Sequence, residues 1–208
     1  MKKLLILLFS LFFLSSPSVI ADDISDFQIE GISIGDSLLD YMTEDEILKA
    51  IEKNKDQHSY LKEPKKYYEV YLRKDFSIYN KLSVYIKNNA LSKFITNNNE
   101  KFTVMGTRGM ITYNEDFDNC MVKRDEIVGE LSNIFQNANK WETISIHPAD
   151  PSGESIVDGV YFDLKLGGIS EASCFNIEET FRIKNNWDEH LQVVIYSPEI
   201  VTWFRNMK

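Results

Sequence analysis

Apolar and polar positions recur along the chain with two periods, and the switches between them mark out its elements. Residues 22–35 lead in with Phe27, Ile29, Ile32 and Ile34 around Gly31 and Gly35. Ser37 and Thr43 are both N-cap residues with an acid three positions on, Asp40 and Glu46, and the second pair is a good capping box. Ile47, Leu48 and Ile51 then form an apolar stripe, which predicts a short helix from about Glu44 to Asn54. In Tyr67–Arg73 and Lys81–Lys87, apolar residues (Tyr68, Val70, Leu72; Leu82, Val84, Ile86) alternate with Glu69, Tyr71, Arg73 and Ser83, Tyr85, Lys87. That period of two predicts strands with one wet face. A third strand, Phe102–Tyr113, carries Gly106 and Gly109 and is expected to bulge or bend there, and Leu91–Ile95 reads as a short extra strand.

Phe117, Cys120, Met121, Ile127, Val128, Leu131, Ile134 and Phe135 then recur at helical spacing and predict the longest helix, with Cys120 facing inward from its first turn. Strands follow at Glu142–His147, Gly159–Leu166, Ser170–Asn176, Thr180–Lys184 and Leu191–Tyr196. At Gly167-Gly168 a two-residue turn would pair Leu164 with Glu171. A three-residue loop with a glycine bulge pairs Leu164 with Ala172 and Phe162 with Cys174, which keeps the core face apolar. Ser197-Pro198 is an N-cap with proline at the first helical position, opening a short last helix with Ile200, Val201 and Phe204 inward. The order predicts an α+β fold: antiparallel meanders with the long amphipathic helix and short N- and C-terminal helices on one face. No linker interrupts residues 22–208, so they read as a single domain.

Residues 1–21 follow a different rule. Met1-Lys2-Lys3 is a short positive stretch, Leu4 to Leu14 is apolar except for Ser10, and Ser15-Ser16-Pro17-Ser18 is polar and breaks a helix. Val19-Ile20-Ala21 before Asp22 offers cleavage-site chemistry, and the apolar run is too short to span a membrane. The reading is a secretory signal cut between Ala21 and Asp22, leaving no membrane span and a periplasmic or secreted protein. The 208 residues carry a formal charge of −9, and losing Lys2 and Lys3 would take the mature chain to −11. Such an acidic surface disfavours nucleic acid and anionic lipid. At 43% hydrophobic and 26% charged, the chain is neither disordered nor a disulfide-dense miniprotein.

The two cysteines, Cys120 and Cys174, form an even pair that reads as a disulfide in an exported chain. The histidines His58, His147 and His190 lack any ligand spacing, so no metal site is expected. Asn114, Asp116, Asp118 and Asp125 imitate a calcium loop, but Asn119 stands where its glycine belongs and the helical period already runs through them. No phosphate-cradling loop or dinucleotide fingerprint is present, so no cofactor is expected. The most polar loop between strands runs from His147 through Asp150 to Ser155. It is first a turn and second the place to look for a ligand, since a histidine, an acid and a hydroxyl are the parts of acyl transfer. Val157 departs from the nucleophile-elbow pattern. Tyr67, Tyr68, Tyr71, Tyr79 and Tyr85 suggest an exposed aromatic patch for a protein or glycan partner.

At Ile29-Glu30-Gly31-Ile32-Ser33-Ile34-Gly35-Asp36-Ser37-Leu38-Leu39-Asp40-Tyr41, the chain resembles a family of small exported proteins of unknown function from AT-rich marine bacteria. Cys120 with Lys123-Arg124-Asp125-Glu126-Ile127, His147-Pro148-Ala149-Asp150, and Cys174 after the Gly-Gly turn extend the likeness over nearly the whole mature chain. The resemblance implies export and pairing of the cysteines. In architecture the chain also looks like small α+β modules of outer-membrane assembly lipoproteins and β-lactamase inhibitor proteins, without their lipid anchor. The expected function is a non-enzymatic periplasmic binding or protein-interaction module, taking an envelope protein or a small ligand. The alternative is an extracytoplasmic hydrolase using His147, Asp150 and Ser155.

Overall fold

A computed structural model describes residues 24, 27–54, 66–72, 75–87 and 100–206. The signal segment with Ala21 and Asp22, the strand expected at Leu91–Ile95, and His58 lie outside the described residues. A two-stranded hairpin of β1 (Gln28–Ile29) and β2 (Ile32–Ser33) opens the fold, and Ser37 caps the 3-10 turn Leu38–Asp40. Helix α1 (Glu44–Asn54) begins at the expected capping box: Glu46 N–H donates to Thr43 Oγ1 (3.4 Å) and Thr43 N–H to Glu46 Oε2 (2.9 Å). Strands β3 (Tyr67–Tyr71), β4 (Lys81–Lys87) and β5 (Thr103–Thr112) form the first meander. The bulge expected near Gly106 is there: the β4–β5 register steps from Tyr85↔Gly106 to Ile86↔Val104.

Helix α2 (Phe117–Ile134) then carries the chain to the far side of the sheet. Its 18 residues give about 27 Å of helix, enough to cross the four interstrand gaps, about 19 Å, from β5 to β6. From there β6 (Asn139–Ile146), β7 (Ile156–Asp163) and β8 (Ile169–Asn176) return strand by strand. After helix α3 (Glu179–Asn185), β9 (His190–Tyr196) closes the gap between β8 and β5, and α4 (Pro198–Asn206) follows. The result is an antiparallel seven-stranded sheet in the order β3-β4-β5-β9-β8-β7-β6, so the fold is α+β as expected.

One face of this sheet packs against α1 and α2. Leu82, Val84, Ile86, Val160, Phe162, Ala172, Leu191, Val193 and Ile195 meet Ile47, Cys120, Ile127 and Leu131 there, all buried. Cys120 in the first turn of α2 is joined to Cys174 of β8, with an S–S distance of 2.00 Å. Arg124, one turn on, is buried and donates to Asp158 of β7, the residue paired with Cys174 across the strands. This face is the hydrophobic core, and α2 is fixed to it by a covalent bond and an ion pair one turn apart.

Several expectations need correction. The second face of β3 and β4 is not wet, because Tyr67, Glu69, Ser83 and Tyr85 are all buried. Helix α4 lies over that face, with Ile200 packed on Tyr67, Tyr85 and Met105, so the C-terminal helix is not on the side of α1 and α2. The expected exposed tyrosine patch therefore loses Tyr67 and Tyr85 to the interior. Thr180–Lys184 is helical: Glu178 accepts from the amides of Thr180 (2.8 Å) and Phe181 (2.6 Å), capping α3, and a five-residue alternation could not overrule that cap. The β7–β8 hairpin pairs Phe162 with Ser170 and Asp158 with Cys174, four residues from the expected register. A slip of an even number keeps every side chain on its face. Phe162 and Cys174 thus both reach the core, although they do not pair. Buried Ser170 is accommodated there because its hydroxyl donates to the Val194 carbonyl (3.1 Å). The loop is Leu164–Gly168, and a Cβ on Gly168 would stand 2.8 Å from the Tyr196 carbonyl oxygen.

Candidate functional site

The second face of the sheet carries ionisable and aromatic groups where the first carries aliphatics. At one end α4 seals it. Glu199 accepts from Tyr67 Oη (2.5 Å), Lys66 (3.0 Å) and Lys87 (2.9 Å), and Trp203 and Phe204 pack against Tyr67 and Tyr85. Burial acts against the Glu199 charge, but these donors outweigh it and bring the carboxyl down to about 2.

At the centre stands Arg108 of β5. It lies opposite Ser83 of β4 and reaches one strand further, to β3 at the edge. Its Nε donates to Ser83 Oγ (3.2 Å), and its Nη2 donates to Tyr71 Oη (2.8 Å) and to Glu69. The Glu69 side chain is fully buried, whereas that of Arg108 keeps 15% of its exposure. The pair is thus layered, with the carboxylate behind and the guanidinium in front. No acceptor among the described residues meets Nη1. Across β9, Glu171 accepts from Ser173 (2.7 Å) and Gln192 (3.1 Å), and burial pushes its carboxyl upward.

Beyond Arg108 the face forms a cavity of about 350 Å³. Tyr71, Arg108 and Met110 bound it on one side, and His147, Phe175, Trp187 and His190 on the other. The turn after α3 places Trp187. Asn186 takes the left-handed conformation (φ 52°), and the Trp187 N–H donates to the Arg182 carbonyl (3.0 Å). Phe175 stacks on His190 (4.5 Å between ring centroids), while His147 and Phe181 meet Trp187 edge-on at 5.1 and 5.2 Å. Lys81 donates to Asp188 (2.5 Å) at the cavity wall.

Burial disfavours the charged form of both imidazoles of this cavity. Burial first, then the charges of Arg108 and Lys81, push His190 down to about 4, against its hydrogen bond to the Asp188 carbonyl. That bond (2.7 Å) requires Nδ1 to carry the proton, which leaves Nε2 as an acceptor. Burial likewise lowers His147. The Ala149 N–H donates to its Nδ1 (3.3 Å), so its proton sits on Nε2. One wall therefore offers a ring acceptor and the other a ring donor.

The 147–155 loop is divided by the structure. Asp150 accepts from Ser155 Oγ (2.6 Å) and N (2.9 Å) and from Ser152 Oγ (2.7 Å), and these bonds hold its carboxyl well below the usual range. Ser155 is fully buried, and its hydroxyl also accepts from the Glu178 N–H (2.9 Å). Asp150 and Ser155 are thus a clip that ties the loop to the start of α3. His147 turns away to the cavity, so the histidine and the serine hydroxyl do not meet as base and nucleophile. Cys120 and Cys174 are brought together as expected.

Sequence reasoning missed Glu69, Arg108, Trp187 and His190. A signal was present in Tyr67-x-Glu69-x-Tyr71 and in Tyr85: large aromatics on the face assigned to water announce that the face is covered. No protein-family model, no curated protein and no solved structure matches the chain.

Proposed function

We propose that this protein is an exported, non-enzymatic binding module that takes a small ligand into the cavity beside Arg108. The observation that carries the reading is the cavity itself, whose volume of about 350 Å³ and aromatic walls around a few polar groups fit a ligand pocket. Its groups suit holding more than reacting. The histidines offer a ring donor and a ring acceptor, and in the 147–155 loop the hydroxyls of Ser152 and Ser155 both donate to Asp150 as part of the loop clip.

Export rests on residues 1–21, with cleavage between Ala21 and Asp22, and on the resemblance to small exported proteins. The paired cysteines agree with an oxidising compartment. Among the described residues no helix is long and apolar enough to cross a membrane. Two measurements test the proposal. Mass spectrometry of the chain recovered from the envelope, before and after reduction, should give a mass beginning at Asp22 and a gain of two hydrogens. A thermal-shift screen of small metabolites against the purified protein should find compounds that raise its melting temperature. A screen without a hit, beside capture of a stoichiometric envelope protein, would replace ligand binding by protein interaction.

A further inference from the structure

Accepting the cavity as a ligand site, we propose that it selects a small carboxylate with a flat, apolar body. Three features point to that class. First, the floor presents one end of a guanidinium. Arg108 uses Nε on Ser83 and Nη2 on Glu69 and Tyr71, and Nη1 keeps two N–H donors with no acceptor among the described residues. Guanidinium and carboxylate match in charge and planar geometry. Because Glu69 lies fully buried behind the arginine, the cavity meets the positive end of a fixed dipole.

Second, the sign and size of the charge are limited. Arg108 and Lys81 both bear on His190 as positive charges and help keep it neutral. Asp188 also lines the cavity, so the wall tolerates one negative charge on a ligand better than two. This favours a monoanion over a phosphate ester. Third, the walls are rings. Trp187, Phe175 and Tyr71 offer faces and edges to a planar body, and 350 Å³ lies at the small end of ligand pockets, about 300–1,000 Å³, which suits one or two rings. His147 Nε2–H and His190 Nε2 supply one donor and one acceptor for substituents on that body.

The test compares benzoate, its neutral isostere benzamide, glucuronate and inorganic phosphate by isothermal titration against the purified protein. Benzoate should bind at least about tenfold tighter than benzamide, with glucuronate and phosphate weaker still. In the double variant Glu69→Gln/Arg108→Gln, which removes both charges together, the benzoate preference should vanish. Should that variant fail to fold, Trp187→Ala, a change at a half-exposed ring, should weaken benzoate and benzamide alike and leave their ratio intact. Equal binding of benzamide overturns the carboxylate preference but leaves the cavity a binding site. Tighter glucuronate or phosphate overturns the flat body or the single charge. If neither these probes nor the wider screen binds, the ligand-site reading falls with it.

Discussion

The two faces of the seven-stranded sheet are built from the same strands and solve opposite problems. The face under α1 and α2 is filled mainly with apolar side chains and closed by a disulfide and the Arg124–Asp158 pair, so most of its stability comes from packing. The other face buries Glu69 outright and half-buries Arg108, Glu171 and His190 among several tyrosines, and each is held by a partner. A buried charge that loses its partner costs more than the pair contributed, so this face is specified by its bonds more than by its shape. The lesson is a division within one layer, with apolar packing on one side and paired polar groups on the other.

That division can be broken from either side. Phe162→Ala on the aliphatic face should cost the most, about 4 kcal/mol, equally at every pH, as measured by urea unfolding. Arg108→Met on the other face should cost about 3 kcal/mol, the low end for a broken buried pair because the guanidinium retains some exposure. Adding Glu69→Gln should return most of that loss, and a double variant no better than the single one would refute the account.

The pH dependence belongs to the polar face as well. His190 titrates near 6.5 in the unfolded chain and about 4 in the folded one. The unfolded chain therefore takes up its proton first as pH falls, and stability drops between about pH 6.5 and 4, by up to about 3 kcal/mol. Glu171, raised by burial, acts with the opposite sign, destabilising the fold as pH rises above the ordinary carboxylate value of 4.5. Hence Glu171→Gln should steepen the acid loss and His190→Gln should flatten it, read from thermal melts across pH 4–7. The smallest effect lies at the margin, where Trp141 stacks on Tyr161 at 4.2 Å and is 40% exposed. Trp141→Ala should cost about 1 kcal/mol.

The elements that depend on near neighbours were legible in the chain. Thr43 and Glu46 are three residues apart, Ser197 and Pro198 adjacent, and the α2 stripe repeats within its own turns, so each announces itself. Arg108 and Glu69 are 39 residues apart and meet only because β4 lies between their strands. Nothing local to either marks the partner. The same holds for α4: its apolar stripe is plain, but which side of the sheet it covers is decided by Tyr67, Tyr85 and Met105 on three other strands. At the β7–β8 hairpin the parity of the register could be read from the alternation of apolar residues, whereas its offset depends on β8 also pairing with β9.

The position of β9 has a consequence for the order in which this molecule assembles. It is the last strand of the described chain and the central one in space, flanked by β5 on one side and β8 on the other. Until residues 190–196 emerge from synthesis, the two meanders have no seam. Each half can form its own hairpins, and Arg108 meets Ser83, Glu69 and Tyr71 within the first, but Glu171 lacks Gln192 until β9 is in place. The wait leaves two bare strand edges on the nascent chain. Closing the sheet, and with it the wall that His190 gives the cavity beside Arg108, therefore requires the last strand.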